Sequence, residues 1–234
     1  MSGHSKWATT KRAKSAIDAK RGNLFTKLSK NITIAARSGA DPESNFKLRI
    51  AIDKARNYNM PKDNIERAVK RASGVGGENN IENLLYEAYG PDGVAILIEA
   101  ITDNKNRAVA NLKHTLSKYD GSLAGSGSVL WMFDIRGEIV LQKTSLNEQE
   151  ELQIIEMGVV DLINEDPVKI ITESNDLEKI KNNLQSSGFE ISSSEIVYVA
   201  KNKVEVKDSE KLIKLLDEID EMDDVNNIHL NANI

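Results

Sequence analysis

Cysteine is missing from all 234 residues. That excludes a disulfide framework, a thiolate metal site and a thiol nucleophile. Aromatic residues make up only 5%, so any core must be built mainly from Ile, Leu, Val and Ala. The length suits one to three small domains with a buried core and no need of staples. No apolar run approaches the roughly 18 residues of a membrane span; Val94-Ala95-Ile96-Leu97-Ile98 is a typical local maximum. The first residues hold no apolar secretory segment, and Ser2 stands where myristoylation needs glycine. A cytoplasmic protein with no membrane partner is the expectation.

Catalytic and metal-binding patterns are equally scarce. There is no H-E-x-x-H and no G-x-S-x-G, and His4, His114 and His229 stand at no metal-ligand spacing. Gly74-Val75-Gly76-Gly77 follows a helical segment and has no P-loop lysine, so it reads as a cap and linker. The stretch from Gly121 to Ser128 precedes a strand, whereas a phosphate cradle opens a helix. Asp217, Glu218, Asp220, Glu221, Asp223 and Asp224 fit no EF-hand and read as a solvated helix end. The expectation is no enzyme activity, no catalytic residue, no metal, no cofactor and no small-molecule substrate.

What is present in quantity is charge, unevenly divided. Residues 1–75 carry 10 Lys and 7 Arg against 6 acids, a net of +11. Residues 76–137 are −3 and residues 138–234 are −13, which together give the formal −5 of the whole chain. A basic arm on an acidic body points to nucleic acid as partner, since the body repels phosphate and confines contact to the arm. The plainer alternative is that the two parts attract one another.

Periodicity supplies the architecture. Leu24, Leu28, Ile32 and Ala35 recur on one helix face, with Lys20, Lys27, Lys30 and Arg37 turned away. Gly39 closes that helix and Ala40-Asp41-Pro42 makes a turn. A second helix follows from Leu48, Ala51, Ile52 and Ala55. A third starts at Pro61 and buries Ile65, Ala68, Val69 and Ala72. Beyond the linker 73–80, Leu84–Tyr89 and Val94–Ile101 predict strands joined at Gly90-Pro91-Asp92-Gly93. Asp103 is expected to cap the next helix, and Val129–Phe133 to be a strand. Glu138–Gln142 predicts another strand, and Ser145 with Glu148 a capping box for the helix that ends near Met157. Strand, Asp-opened helix and strand recur at Val168–Ala200 and again at Lys203–Ala232. The fold class is therefore α+β and multidomain. A basic three-helix domain at 1–77 precedes two small α/β domains.

The residues with a binding signal lie first in the chain. His4, Ser5, Lys6 and Trp7 place a stacking plane beside a positive charge, and Lys11, Arg12, Lys14, Lys20 and Arg21 continue a basic track. Lys27 and Lys30 extend it, and Lys105 and Arg107 form a second basic point at a strand-to-helix turn. Trp7 alone has an alternative use as an anchor on the helical core.

These segments also carry a resemblance. Gly3-His4-Ser5-Lys6-Trp7, Lys20-Arg21-Gly22 and Phe25-Thr26-Lys27 resemble the N-terminal signature of the YebC family. That bacterial and organellar family includes the mitochondrial translational activator of cytochrome c oxidase. The similarity continues through Asn59-Met60-Pro61-Lys62-Asp63-Asn64, Tyr89-Gly90-Pro91, Thr102-Asp103-Asn104-Lys105-Asn106-Arg107 and Gly125-Ser126-Gly127-Ser128-Val129. Ala40, Ala108 and Asp120 depart from the pattern at turns. The resemblance implies three domains with the third inserted into the second: 1–77, then 78–136 plus 196–234, with an acidic 137–195 between. It further implies a regulator of gene expression. Some members are described as DNA-binding transcriptional regulators and others as translation factors at the ribosome. No single recognition helix collects the basic residues, which suits backbone and shape contacts. The expectation leans to ribosomal RNA and the ribosome as partners, with DNA and transcription as the alternative.

Overall fold

The computed structural model describes residues 17–72 and 81–233, with the backbone alone for residues 17–21. Three helices come first: α1 (Ile17–Ala36), α2 (Phe46–Asn57) and α3 (Lys62–Arg71). Their three- and four-residue apolar spacing closes one small core. Leu28, Ile32 and Ala36 meet Leu48, Ile52, Ala55, Ile65 and Ala68 around Met60. Asn45 fixes the first turn. Its Oδ1 accepts from the Leu48 N–H at 3.1 Å, capping α2, while its Nδ2 donates to the carbonyls of Ala35 and Gly39 at 2.8 and 2.7 Å. Gly39 sits at φ +146°, a backbone conformation that glycine alone takes readily.

The rest is layered α+β. Strands β1 (Glu82–Tyr89) and β2 (Ala95–Thr102) form an antiparallel hairpin with Tyr89 opposite Ala95. Helix α4 (Lys105–Lys118), β3 (Ser122–Leu123) and β4 (Phe133–Leu141) follow, then α5 (Glu148–Glu156), β5 (Asp161–Ile163) and β6 (Lys169–Glu173). Next come α6 (Leu177–Ser186), β7 (Ile191–Ala200), β8 (Val204–Glu205), α7 (Ser209–Asp220), β9 (Val225–Leu230) and β10 (Ala232–Asn233). One sheet runs β3-β1-β2-β9 and another β5-β6-β4-β7, with β8 and β10 as a separate parallel pair. Leu112 and Leu116 of α4 and Leu212, Leu215, Leu216 and Ile219 of α7 bury their stripes against Ile96, Ile98 and Val225 of the first sheet.

Among the described residues, 134–199 form one compact unit, and the others form a second. The chain enters the first of these on β4 and leaves on β7, which are neighbours in one sheet. An α/β domain is thus inserted into another. No helix among the described residues is long and apolar enough to cross a membrane.

Several local details differ from expectation. Helix α5 is capped by Asn147, whose side chain accepts from the Glu150 N–H in a full capping box, two residues beyond the expected Ser145. Helix α4 is capped by Asn104, because Asp103 is engaged with an arginine side chain. Residues Leu130–Met132 form a 3₁₀ turn in place of the expected strand, and β4 runs unbroken from Phe133 to Leu141. The cause of this last change lies in Glu87, described below.

Candidate nucleic-acid interface

Helix α7 ends badly by its own sequence. Its last turn holds no basic residue, and acids crowd the end where exposed carbonyls already make the dipole negative. The compensation comes from α1. Lys27 Nζ donates to the Asp220 carbonyl at 2.5 Å, and Lys30 Nζ donates to the carbonyls of Asp223 (3.0 Å) and Ile101 (3.2 Å). Asn31 and Asn226 join their side-chain amides beside them. The acidic run is therefore a socket for the basic helix and not merely a solvated end.

Asp224 is the centre of this junction. Its carboxylate is buried, with 7% of the residue exposed. It accepts from Lys30 Nζ at 3.2 Å and from Arg107 Nε and Nη2 at 3.3 and 3.0 Å. Arg107 also donates to Asp103 at 2.7 Å. The bonds to Asp224 and then Asp103 raise the proton affinity of the guanidinium, and the bond from Arg107 holds the Asp103 carboxyl below its ordinary value. Beside this network opens a cleft of about 980 Å³ between the helical segment and the sheet layer. Phe25, Met60, Ile81 and Leu112 line it with apolar surface, and Arg67, Arg71, Asn64 and Asn111 add polar groups. Arg67 is exposed and donates to the Asp63 carbonyl and the Asn64 side-chain oxygen, both neutral.

A second feature is built around Glu87 of β1, which is 5% exposed. Its two oxygens accept from the backbone N–H groups of Gly127 (2.5 Å), Val129 (2.7 Å) and Leu130 (2.9 Å). Burial raises this carboxyl, but the N–H bonds outweigh burial and leave it below its ordinary value. The glycine-serine loop is thus an anion cradle already filled by the chain's own carboxylate. Pulled onto Glu87, the loop turns at Leu130–Met132, and Trp131 swings outward with 63% of its surface exposed.

The sequence-predicted site residues divide accordingly. His4, Ser5, Lys6, Trp7, Lys11, Arg12 and Lys14 lie outside the described residues, as do the side chains of Lys20 and Arg21. The structure brings Lys27, Lys30 and Arg107 together, on the chain's own acids. Lys105 makes a half-exposed pair with Glu82 at 2.6 Å. The sequence reading places Asp224 only in a solvated helix end, and it singles out neither Glu87 nor Trp131. An acidic run at a helix end with no cation in the preceding turn is the available signal for the socket, whereas nothing local marks Glu87. Among the described residues no His, Asp and Glu group has the geometry to hold a metal ion.

Comparison with known proteins decides the family. The description TACO1/YebC protein N-terminal domain matches residues 5–75, and TACO1/YebC second and third domain matches residues 81–232. The chain belongs to the TACO1/YebC family. A probable transcriptional regulatory protein of Thermoanaerobacter pseudethanolicus is 44% identical over 240 residues, covering 100% of this chain and 98% of its own. One from Dehalococcoides mccartyi is 46% identical over 238 residues, with 100% and 95% covered. A crystal structure of a conserved hypothetical protein from Aquifex aeolicus superposes with a TM-score of 0.87 at 38% identity, over 94% of this chain and 93% of that one. As a TACO1/YebC member the chain has the helical N-terminal domain and the two α/β domains in the family's order.

Proposed function

We propose that this protein is a non-enzymatic, nucleic-acid-binding regulator of gene expression, with structured RNA at the ribosome as its principal target. The observation that carries the reading is the +11 of residues 1–75 set against the acidic remainder. Lys27 and Lys30 answer the acidic end of α7, which leaves the preceding track from Lys6 to Arg21 as the proposed contact with phosphate. His4, Ser5 and Trp7 contribute polar and stacking groups there. Arg67 and Arg71 on the cleft wall give a second basic surface. Lys105 and Arg107 serve mainly to position α4 against β1 and β9. Charge spread over several elements favours backbone and shape recognition, as a large folded RNA offers. The names of the relatives, probable transcriptional regulatory proteins, favour DNA as the second reading.

Sedimentation of cell extract through a sucrose gradient separates the two. Co-migration with ribosomes at low salt, weakened by Lys6, Lys11, Arg12 and Lys14 alanine substitutions, is expected. Protein that stays at the top of the gradient and gives a footprint on one promoter supports the DNA reading instead.

A further inference from the structure

We propose that Trp131 is a fixed stacking platform for an unpaired nucleobase, with Lys201 beside it for the adjoining phosphate. The inference rests on the nucleic-acid reading above and adds to it a site on a different part of the chain. Large aromatic side chains normally bury their area, and a tryptophan exposed by 63% leaves most of an indole face in water. Here the exposure is built in. The indole Nε1–H donates to the Ser128 carbonyl at 3.0 Å, which sets the ring's orientation. The loop below is held by the three N–H bonds to Glu87. The Trp131 carbonyl accepts from Lys201 Nζ at 2.9 Å, and the Lys201 N–H donates to the Met132 carbonyl at 2.9 Å. Ring, loop and ammonium therefore form one braced unit.

Two features suit the ring to a base. A pre-oriented ring loses little rotamer freedom on binding, so stacking energy is retained as affinity. Each base stacked on an aromatic ring contributes enough to be visible by alanine substitution, whatever its identity. The Lys201 ammonium, held at the ring's own backbone carbonyl, is the group assigned to the adjoining phosphate. Paired bases are already stacked on their neighbours, so the platform favours single strands, loops and ends.

The test uses the full chain, a twelve-nucleotide oligoadenylate RNA, and the same RNA paired with oligouridine. The sequence has two tryptophans, so Trp7→Phe leaves Trp131 as the sole indole reporter. The expected result is quenching of its fluorescence by the single strand and little by the duplex. Trp131→Ala should weaken single-strand binding by about five- to a hundredfold and leave duplex binding unchanged. Trp131→Phe should restore most of the loss, and Lys201→Ala should lower the salt slope by about 1. Circular dichroism and thermal unfolding check that each variant folds. RNA bound with no quenching and no effect of Trp131→Ala overturns the platform while the basic arm's role stands. Failure of the wild-type chain to bind either RNA overturns the platform, and failure to bind a ribosomal RNA fragment and a promoter DNA as well overturns the nucleic-acid reading itself. Equal losses for single strand and duplex in Trp131→Ala mark a role in holding the loop and overturn stacking.

Discussion

Replacing Asp224 with asparagine keeps the side chain's shape and removes its charge, at the point where α1, α4 and β9 meet. In the native chain this carboxylate receives Lys30 and Arg107. Hydrogen bonds involving a charged group contribute about 1.5–3 kcal/mol each. Breaking a buried pair by removing one partner costs about 3–5 kcal/mol. Two facts reduce that here. Lys30 keeps the Ile101 and Asp223 carbonyls, and Arg107 keeps Asp103 with nearly half of its side chain in solvent. The net expectation is a loss of about 2–4 kcal/mol, which for a unit of this size lowers Tm by roughly 5–12 °C. Differential scanning calorimetry of wild type and Asp224→Asn measures it. Lys214→Ala, which removes an exposed pair with Glu210, is the control and should shift Tm by under about 2 °C. A double-mutant cycle of Lys30→Met with Asp224→Asn should give a coupling of about 1 kcal/mol or more. A Tm unchanged in Asp224→Asn, or additive effects in the cycle, refutes the socket as the structural purpose of the acidic run.

Glu87→Gln puts an amide NH₂ among N–H donors, and should cost about 2–3 kcal/mol in urea unfolding. The Glu87 carboxyl lies below its ordinary 4.5 when folded, so its stabilisation is complete above about that pH and is lost as pH falls through the lower folded value; Glu87→Gln should accordingly flatten the acid limb of the stability profile. Asn45→Ala removes a helix cap and the donors to two carbonyls, for a loss of roughly 2 kcal/mol in thermal unfolding of the helical segment. The domain boundaries we propose, 78–136 with 196–234 around 137–195, predict that a chain lacking 137–195 and rejoined by a short Gly-Ser link still unfolds cooperatively; a broad, non-cooperative melt argues against them.

The helical stripes are legible in the sequence because each is local. Leu28, Ile32, Leu48, Ile52, Ile65 and Ala68 stand at helical spacing, and all are in the core. The hairpin at Gly90-Pro91-Asp92-Gly93 is legible for the same reason, as is α7 opening at Asp208, whose side chain accepts from the Lys211 N–H. The cap of α4 shifts by one residue because Asp103 has a competing partner in Arg107. Trp131 is not legible. Alternation places Val129, Trp131 and Phe133 on one strand face, and only a carboxylate some forty residues earlier in sequence turns that segment outward. The charge asymmetry is visible, but not that Lys27 and Lys30 within it turn onto the chain's own acidic segment. Lys27 and Lys30 find their partners about 193 residues away, a distance over which composition carries no pairing information.

The salt dependence of RNA affinity, compared between two sets of basic residues, tests the account most directly. Each phosphate neutralised contributes about 0.7–0.9 to the slope of log K against log salt. Alanine at Lys11, Arg12 and Lys14 should reduce that slope by about 2–3 for a ribosomal RNA fragment, with Tm unchanged. Alanine at Lys27 and Lys30 should lower Tm and leave the slope nearly as in wild type. The reverse pattern, with the slope falling at Lys27 and Lys30 and unmoved at Lys11, Arg12 and Lys14, contradicts the division of the basic arm into a track and a clasp.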